Sequence, residues 1–197
     1  MSAGRQRSFD KEEAMVQAME VFWKKGYSGT SLSDLTGSMG INKPSLYAAF
    51  GNKEKLFISA INHYVQRHGA PHFEQLMNGE RSLKARVQAY LESIARMVSD
   101  TSLPGGCFVA SSTCEIGSDC LPPQAMENVL AINNASTEAF VNFFRDEQEK
   151  GHLRSTTTPE VLADYLLTLQ FGLAVMARDG IEKERLDQVI RHAAETF

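Results

Sequence analysis

Short hydroxyl, amide and cationic side chains cluster in the first third of the chain, and this chemistry suits the phosphates and base edges of a nucleic acid. Backbone N–H groups at a helix N-terminus attract anions, and neighbouring Ser, Thr, Asn and Lys side chains add hydrogen bonds and charge. The candidates for DNA contact are Thr30, Ser31, Asn42, Lys43, Pro44, Ser45, Tyr47 and Lys53. Two alternatives stay open: Thr30 and Ser31 can act as helix caps only, and the Tyr47 ring can pack inward.

Three cysteines, Cys107, Cys114 and Cys120, form a second group of potentially reactive side chains. An odd number cannot pair completely within one chain, and in a reducing cytosol we expect thiols. A Cys107–Cys114 disulfide is excluded within one helix, because about 10 Å of helix rise would separate the two Cα atoms. Cys107 is either a small buried hydrophobic residue or a redox or electrophile sensor, with Cys120 as the better resolving partner.

The sequence contains no motif that points to catalysis. We find no glycine-rich phosphate loop, nucleophile elbow or HExxH zinc motif, so an enzyme is not expected and no cofactor is implied. The five histidines lack metal-ligand spacing, and an expected break at Gly69-Ala70-Pro71 separates His68 from His72. We therefore predict neither catalytic residues nor a metal site.

Hydrophobic spacing predicts that the candidate DNA contacts lie on three short helices near the N-terminus. The first runs from about Asp10 to Lys25, the second from Leu32 to Met39 and the third from Lys43 to Phe50. A turn at Gly40 joins the last two, which gives the dimensions of a helix-turn-helix with a supporting first helix. In that arrangement the third helix enters the major groove, where Lys43, Ser45 and Tyr47 are the candidates for base contact. Leu46 and Phe50 should face the core.

The rest of the chain is also predicted to be helical, so the fold class is all-α with about nine helices. The further helices are expected at Lys53–His68, Leu83–Ser99, Cys107–Ile116, Gln124–Lys150, Pro159–Arg178 and Glu182–Thr196. We divide the chain into a helix-turn-helix domain, residues 1–55, and an effector-binding and dimerisation domain, residues 56–197.

Composition and charge agree with a DNA-binding protein of the cytoplasm. No apolar run is expected to reach the roughly 20 residues of a membrane span, and charged residues 10–13 stand where a signal peptide would be apolar. The net charge is −4, but residues 1–55 carry eight Lys and Arg against six Asp and Glu, whereas residues 56–197 carry twelve against eighteen. The N-terminal segment is the part suited to phosphate.

The same N-terminal segment resembles the DNA-binding domain of TetR-family regulators. The similarity covers about 50 of the 197 residues and is carried by Phe22, Gly26, Tyr27, Thr30, Ser31, Leu35, Gly40-Ile41-Asn42-Lys43-Pro44-Ser45-Leu46-Tyr47, Phe50 and Lys53-Glu54-Lys55-Leu56-Phe57. The segment Thr36-Gly37-Ser38-Met39 departs from the family, which more often has alanines there. The glycine should loosen the second helix, since it costs about 1 kcal/mol relative to alanine.

The resemblance implies a homodimer formed by helices near 124–150 and 159–178, a palindromic double-stranded DNA operator, and repression released by a small-molecule effector. The effector pocket would lie in the C-terminal bundle, and the candidates to line it are Phe140, Phe144, Phe171 and the three cysteines. These aromatic residues could equally form the dimer interface or the core. The segment Gly106-Cys107-Phe108-Val109, with Glu115 further on, also resembles a cysteine-containing subset of the family. For that subset, a redox- or electrophile-sensing repressor acting through Cys107 is the alternative.

Overall fold

The computed structural model describes residues 9–153 and 156–197, and these residues form α-helices and one π-helical turn without a β-strand. The elements are α1 (Lys11–Lys25), α2 (Leu32–Ser38), α3 (Lys43–Phe50), α4 (Lys53–Tyr64), the π turn (Val65–Gly69), α5 (Ala70–Met77), α6 (Leu83–Val98), α7 (Phe108–Ile116), α8 (Pro123–Glu149), α9 (Pro159–Arg178) and α10 (Lys183–Ala194). Because α4, the π turn and α5 form one continuous helix, the described residues contain nine helical rods. The all-α prediction is confirmed.

The three N-terminal helices begin where side chains can satisfy their free N–H groups. Asp10 accepts hydrogen bonds from Glu12 and Glu13 at the start of α1, and Ser31 and Asp34 form a capping box at the start of α2. The turn before α3 contains Gly40 with φ +63°, a conformation that glycine adopts without a Cβ clash. We refer to α1–α3 as the head and to the helices from α4 onward as the body.

The head is held together by apolar side chains from all three of its helices and from α4. Phe22, Leu35, Leu46 and Phe57 are completely buried. The prediction that Leu46 faces the core is confirmed. Phe50 is only half-buried, because it lies at the end of α3 and packs against Phe9, with 6.3 Å between ring centroids.

The predicted break at Gly69-Ala70-Pro71 is wrong, because the helix passes through this segment. The N–H of Ala70 donates to the carbonyl of Val65, five residues earlier, so the backbone widens into a π turn. Pro71 then falls in the first turn of α5, where its missing N–H is tolerated. A single rod therefore connects the head to the interior of the body.

The prediction that no apolar run approaches the length of a membrane span is also wrong. Among the described residues, the 20-residue helix α9 is long and apolar enough by composition to cross a membrane. Packing explains this composition: Leu162, Leu166 and Leu173 are buried, and α9 contacts α6, α8 and α10. Another side of α9 leaves Val161 and Val175 exposed.

A buried ion pair joins the two helices at the centre of the body. Arg86 of α6 binds both carboxylate oxygens of Glu147 of α8 and also donates to the carbonyl of Leu76, at 2.9 Å. Burial opposes ionisation of Glu147, but hydrogen bonds from Arg86 and His152 and the nearby charges of Arg86 and Lys150 hold its pKa below the usual range. The pair fixes the register of α5, α6 and α8 because each charge would be costly to bury alone.

The carboxylate of Glu115, near the end of α7, fastens the head to the body. Its two oxygens accept hydrogen bonds from the backbone N–H groups of Tyr27 (3.0 Å) and Ser28 (3.2 Å) in the loop between α1 and α2. Gly26 has φ +72°, and a Cβ at this position would lie 2.7 Å from a Glu115 oxygen. The close approach of the carboxylate therefore requires glycine at position 26.

Two further contacts define the same boundary. Arg178, at the end of α9, donates to the carbonyl of Lys24 at the end of α1, at 3.1 Å. Glu54, in the first turn of α4, accepts from the N–H groups of Gln124 (3.1 Å) and Ala125 (3.4 Å) at the start of α8. The head thus contacts α7 and α9 directly, while Glu54 anchors the beginning of α4 to α8.

We predict that Glu115→Ala loosens the α1–α2 loop without unfolding the body. Hydrogen bonds to a charged group contribute about 1.5–3 kcal/mol, so the amides of Tyr27 and Ser28 should exchange with solvent roughly tenfold faster or more. Native-state hydrogen exchange measures this change. Glu127→Ala, which removes an exposed carboxylate of α8, is the matched control. Unchanged exchange at both amides in Glu115→Ala would contradict the role assigned to Glu115.

Candidate nucleic-acid interface and internal cavity

The third helix presents its N-terminal half to solvent. Leu46 is completely buried and holds α3 to the head, whereas Asn42, Lys43, Pro44 and Tyr47 are exposed. Tyr47 has 47% of its surface accessible, so its ring points outward. An aromatic ring and an ammonium group that project from the start of a helix can contact base edges and phosphates in a major groove.

Two of the candidate side chains are occupied as helix caps. The Asn42 side chain accepts the N–H of Ser45 at 2.9 Å, and Ser31 accepts the N–H of Asp34 at 3.0 Å. Asp34 is in turn bound by Lys25 at 2.6 Å, and this hydrogen bond, with those from Ser31, lowers the pKa of the Asp34 carboxyl. Ser31 and Asn42 are exposed, so both side chains remain accessible to solvent while they cap their helices.

Thr30 and Lys53 occupy positions different from those expected. Thr30 is only 2% exposed, and its hydroxyl donates to the carbonyl of Gly26 at 2.6 Å. It therefore closes the loop after α1 and cannot reach a phosphate through its side chain. The Lys53 ammonium lies 4.1 Å from the centroid of the Tyr27 ring, and burial lowers its pKa. Lys53 supports the loop held by Glu115.

The body contains a partly open cavity of about 540 Å³. Its walls come from the rod formed by α4, the π turn and α5, and from α6, α7, α8 and α9. The volume falls in the range of sites that bind small molecules, which are mostly apolar with a few polar groups. A ligand in this cavity could contact the α4–α5 rod, α7 and α9, and each of these elements also reaches the head.

Of the six residues predicted to line the effector pocket, three line this cavity. Cys107, Phe140 and Phe171 do, and Cys107 is 7% exposed. Phe144 is completely buried elsewhere, stacked on Phe197 with 5.4 Å between centroids. Cys114 is exposed on α7, and it does not line the cavity.

Cys120 lies at the head–body boundary, away from the cavity. Its carbonyl accepts a hydrogen bond from the Ser28 hydroxyl, and hydrogen bonds with Ser118 and Ser28 lower the pKa of its thiol. Since Cys107 precedes α7 and Cys120 follows it, the length of this nine-residue helix lies between the two thiols. All three cysteines are free in this fold.

The polar groups in and behind the cavity wall were not predicted. Nδ1 of His72 lies 2.9 Å from the Ser93 hydroxyl, and Tyr90 donates to Gln170 at 2.6 Å. Burial lowers the pKa of His72 to about 4, with smaller effects from the charges of His68 and Arg96. The i, i+4 spacing of His68 and His72 was the available signal, and the false break at Gly69-Ala70-Pro71 concealed it.

Tyr64 lines the cavity, as Cys107 does, and also contacts the first helix of the head. Its hydroxyl donates to the Cys107 sulfur at 3.4 Å, and burial raises the pKa of the phenol, with a further contribution from Cys107. The Tyr64 ring also packs against Trp23 of α1, with 4.7 Å between centroids. The same side chain therefore contacts a cavity residue and the first helix of the head.

Comparison with known proteins covers both parts of the chain. Residues 15–60 match the family described as bacterial regulatory proteins, tetR family, and residues 84–193 match the tetracyclin repressor-like C-terminal domain. The HTH-type transcriptional repressor ComR of Escherichia coli K12 is 32% identical over 95% of this chain and 89% of its own length. BdcR of the same strain, also named an HTH-type transcriptional repressor, is 29% identical over 98% of this chain and 92% of its own length.

A solved structure similar to this one contains DNA. It is a cysteine-substituted form of the TetR-family regulator CifR in complex with a 26-bp double-stranded operator. It aligns with a TM-score of 0.86 and 34% identity over 98% of this chain and 100% of that chain. With the N-terminal match, the C-terminal match and the exposed third helix in agreement, the chain is a DNA-binding regulator that belongs to the TetR family of bacterial regulatory proteins.

Proposed function

We propose that this protein is a cytoplasmic homodimeric repressor that binds a palindromic operator and leaves it when a small molecule occupies the cavity. The observation that carries the proposal is the exposed N-terminal half of α3, in which Lys43 forms no ion pair among the described residues. We assign residues 1–55 to DNA binding and residues 56–197 to effector binding and dimerisation. ComR and BdcR, both named as repressors, support the direction of regulation.

The proposed DNA contacts come from the surface that α2 and α3 share. Lys43, Ser45 and Tyr47 would approach base edges, with Pro44 beside them at the start of the helix. Ser31 and Asn42 would contact phosphates beside the helix N-termini that they cap. Buried Thr30 and half-buried Lys53 would act indirectly by shaping the loop.

The proposed dimer interface is centred on α9, with α8 beside it. Val161, Val175 and Met176 of α9 and Leu130 of α8 are exposed, each with at least 42% of its surface accessible. Large apolar side chains on neighbouring helices favour a two-fold contact with a second copy. Because Arg178 of α9 binds the end of α1, such a dimer would set the distance between the two heads.

The proposed route from the cavity to the head has two branches. A ligand would press on the continuous rod of α4, the π turn and α5, whose first residues adjoin the head. It would also contact Cys107 and Val109 near the start of α7, while Glu115 near the other end holds the α1–α2 loop. Movement of either element would change the spacing of the two recognition helices.

A second candidate function is a redox- or electrophile-sensing repressor, and the Cys107 thiol in the cavity wall favours it. Oxidation by a peroxide would convert this thiol to a sulfenic acid and release water. The product would place a polar group in an apolar cavity and disturb the hydrogen bond from Tyr64. A subsequent disulfide with Cys120, which would release a second water, requires α7 to move or unwind.

Removal of the exposed cation of α3 should weaken operator binding. We expect Lys43→Ala and Tyr47→Ala each to reduce affinity by about 1–3 kcal/mol per subunit, the value of a good base contact. The operator is first selected from a random duplex library and should contain an inverted repeat with half-sites about one helical turn apart, or a multiple of it. Affinity is then measured by fluorescence anisotropy.

Lys183→Ala, which removes an exposed cation of α10, controls for net charge. Unchanged affinity in both α3 variants would exclude α3 as the recognition helix.

A charge placed on the exposed face of α9 should dissociate the dimer. Val175 is 61% exposed, so we expect Val175→Arg to fold but to sediment as a monomer because the dimer would have to bury a charged group in an apolar contact. Met77→Arg is the matched control, since Met77 is 63% exposed at the end of α5. Sedimentation velocity at micromolar concentration separates the two results. A dimeric Val175→Arg would place the interface elsewhere.

The cysteine alternative predicts a different dependence on oxidant. Under mild peroxide, the unmodified protein and the exposed-cysteine variant Cys114→Ser should leave the operator, whereas Cys107→Ser should stay bound. Anisotropy of the labelled operator during peroxide titration reports the release. If Cys107→Ser is released at the same peroxide concentration as the unmodified protein, Cys107 is not the sensor.

A further inference from the structure

Most polar side chains of α8 in the cavity wall already donate their hydrogen bonds within the protein. The hydroxyls of Ser136 and Thr137 donate to carbonyls of their own helix, at 2.9 and 3.1 Å. The side-chain amide of Asn133 donates to the Thr113 hydroxyl at 3.1 Å. The hydroxyl hydrogens of α8 are therefore not available to a ligand.

Gln170 of α9 differs from these side chains. Its Oε1 accepts a hydrogen bond from the Tyr90 hydroxyl at 2.6 Å, but its Nε2 donates none to the described residues. Gln170 is half-buried and lines the cavity. Its Nε2 keeps accessible surface, whereas Nε2 of His72 is buried without a partner. The amide N–H groups of Gln170 are therefore open to water or to a ligand.

The hydrogen bond from Tyr90 fixes which end of the Gln170 amide is free. Burial raises the pKa of the Tyr90 phenol, with a further contribution from Cys107, so the hydroxyl keeps its proton and must donate it. Tyr90 is only 3% exposed, and a reversed amide would leave this buried hydroxyl facing another donor. Gln170 consequently presents a donor, and not an acceptor, at its free end.

Aromatic rings form the apolar wall beside this amide. The Tyr90 ring packs against Phe140, with 5.7 Å between centroids, and Phe73 lies next to Phe140 at 5.8 Å. Phe171, which follows Gln170 in the chain, also lines the cavity. Such a surface favours contact with the faces and edges of a flat apolar molecule. A molecule seated on these rings would displace water from the neighbouring amide.

A ligand that displaces water from a polar group keeps its affinity only if it replaces the lost hydrogen bond. We propose that the cavity takes a flat, largely apolar molecule whose carbonyl oxygen accepts a hydrogen bond from Nε2 of Gln170. This inference rests on the proposed function, since it names the chemical class of the effector. Gln170 is then the residue that distinguishes a carbonyl compound from a hydrocarbon of the same shape.

Two naphthalene derivatives, 2-acetylnaphthalene and 2-isopropenylnaphthalene, test the proposal. Both are uncharged and similar in shape, and they differ in that a CH₂ group of the alkene replaces the carbonyl oxygen of the ketone. Equilibrium dialysis against the full-length protein without DNA, with chromatographic detection, measures both affinities at micromolar concentration. Because the alkene is the more hydrophobic compound, the quantity compared between variants is the ratio of ketone affinity to alkene affinity.

Gln170→Leu and Gln170→Met remove the donor. We expect each substitution to lower the affinity ratio roughly tenfold, because the ketone loses its hydrogen bond and the alkene no longer leaves an amide unpaired. Met is the milder change, since its unbranched chain ends near the same position and its sulfur can accept weakly from Tyr90. Ser136→Ala is the matched control: it removes a hydroxyl of the cavity wall that already donates to the carbonyl of Ile132, so the ratio should not change.

The outcomes separate the ligand class from the proposed function. Failure of both compounds to bind the unmodified protein would overturn the proposal, as would an unchanged ratio in either Gln170 variant that circular dichroism shows to be folded. An equal fall of the ratio in Ser136→Ala would overturn the assignment to Gln170. Operator release is measured separately: if the ketone binds as expected while the DNA complex persists, the ligand class stands and release by the cavity ligand is contradicted.

Discussion

The hydrogen bonds between Glu115 and the loop after α1 are the contact on which the arrangement of the head depends. Two backbone N–H groups at the end of a helix need acceptors, and a carboxylate that reaches both supplies them from another helix. The contact requires glycine at position 26, and the Tyr27 ring beside it carries the Lys53 ammonium on its face. Because Glu115 belongs to the body, the first half of the helix-turn-helix is placed by an element outside the DNA-binding domain.

The same contact lies between two surfaces of different electrostatic character. The start of α3 is exposed and bears an unpaired ammonium among the described residues, which suits phosphate. The cavity is mostly apolar, and the described residues that line it include no Asp, Glu, Lys or Arg. α7 extends from Cys107 at the cavity to Glu115 at the loop, and the α4–α5 rod extends from the head to His72. Two rigid elements therefore join the two surfaces.

The ion pair of Arg86 and Glu147 gives these elements a fixed support. It joins α6 and α8 behind the cavity and, through the carbonyl of Leu76, holds the end of the α4–α5 rod. A paired charge inside a helical bundle tolerates little displacement, since each partner would otherwise be buried alone. The ion pair therefore holds one end of the rod, whereas the π turn lines the cavity.

Local sequence determined the helices and the recognition motif, and tertiary packing determined the sites. Asp10, Ser31 and Asn42 cap helices through bonds to residues two or three positions away, so residue types alone predicted where α1, α2 and α3 begin. The family pattern in residues 22–57 combines such local signals with core residues, since Phe22, Leu46 and Phe57 are completely buried.

Thr30, Lys53 and the Gly69-Ala70-Pro71 segment differ from the sequence-based expectation because burial, packing and backbone geometry in the folded protein decide their state. Thr30 is buried and binds the carbonyl of Gly26, and the Lys53 ammonium lies over the Tyr27 ring. The π turn replaces a break that proline and glycine normally favour. Which aromatic residues line the cavity depends on the α4–α5 rod, α6, α8 and α9 at once. Sequence periodicity shows that a face is buried, but the helices packed against that face decide whether it meets a ligand, a second subunit or the core.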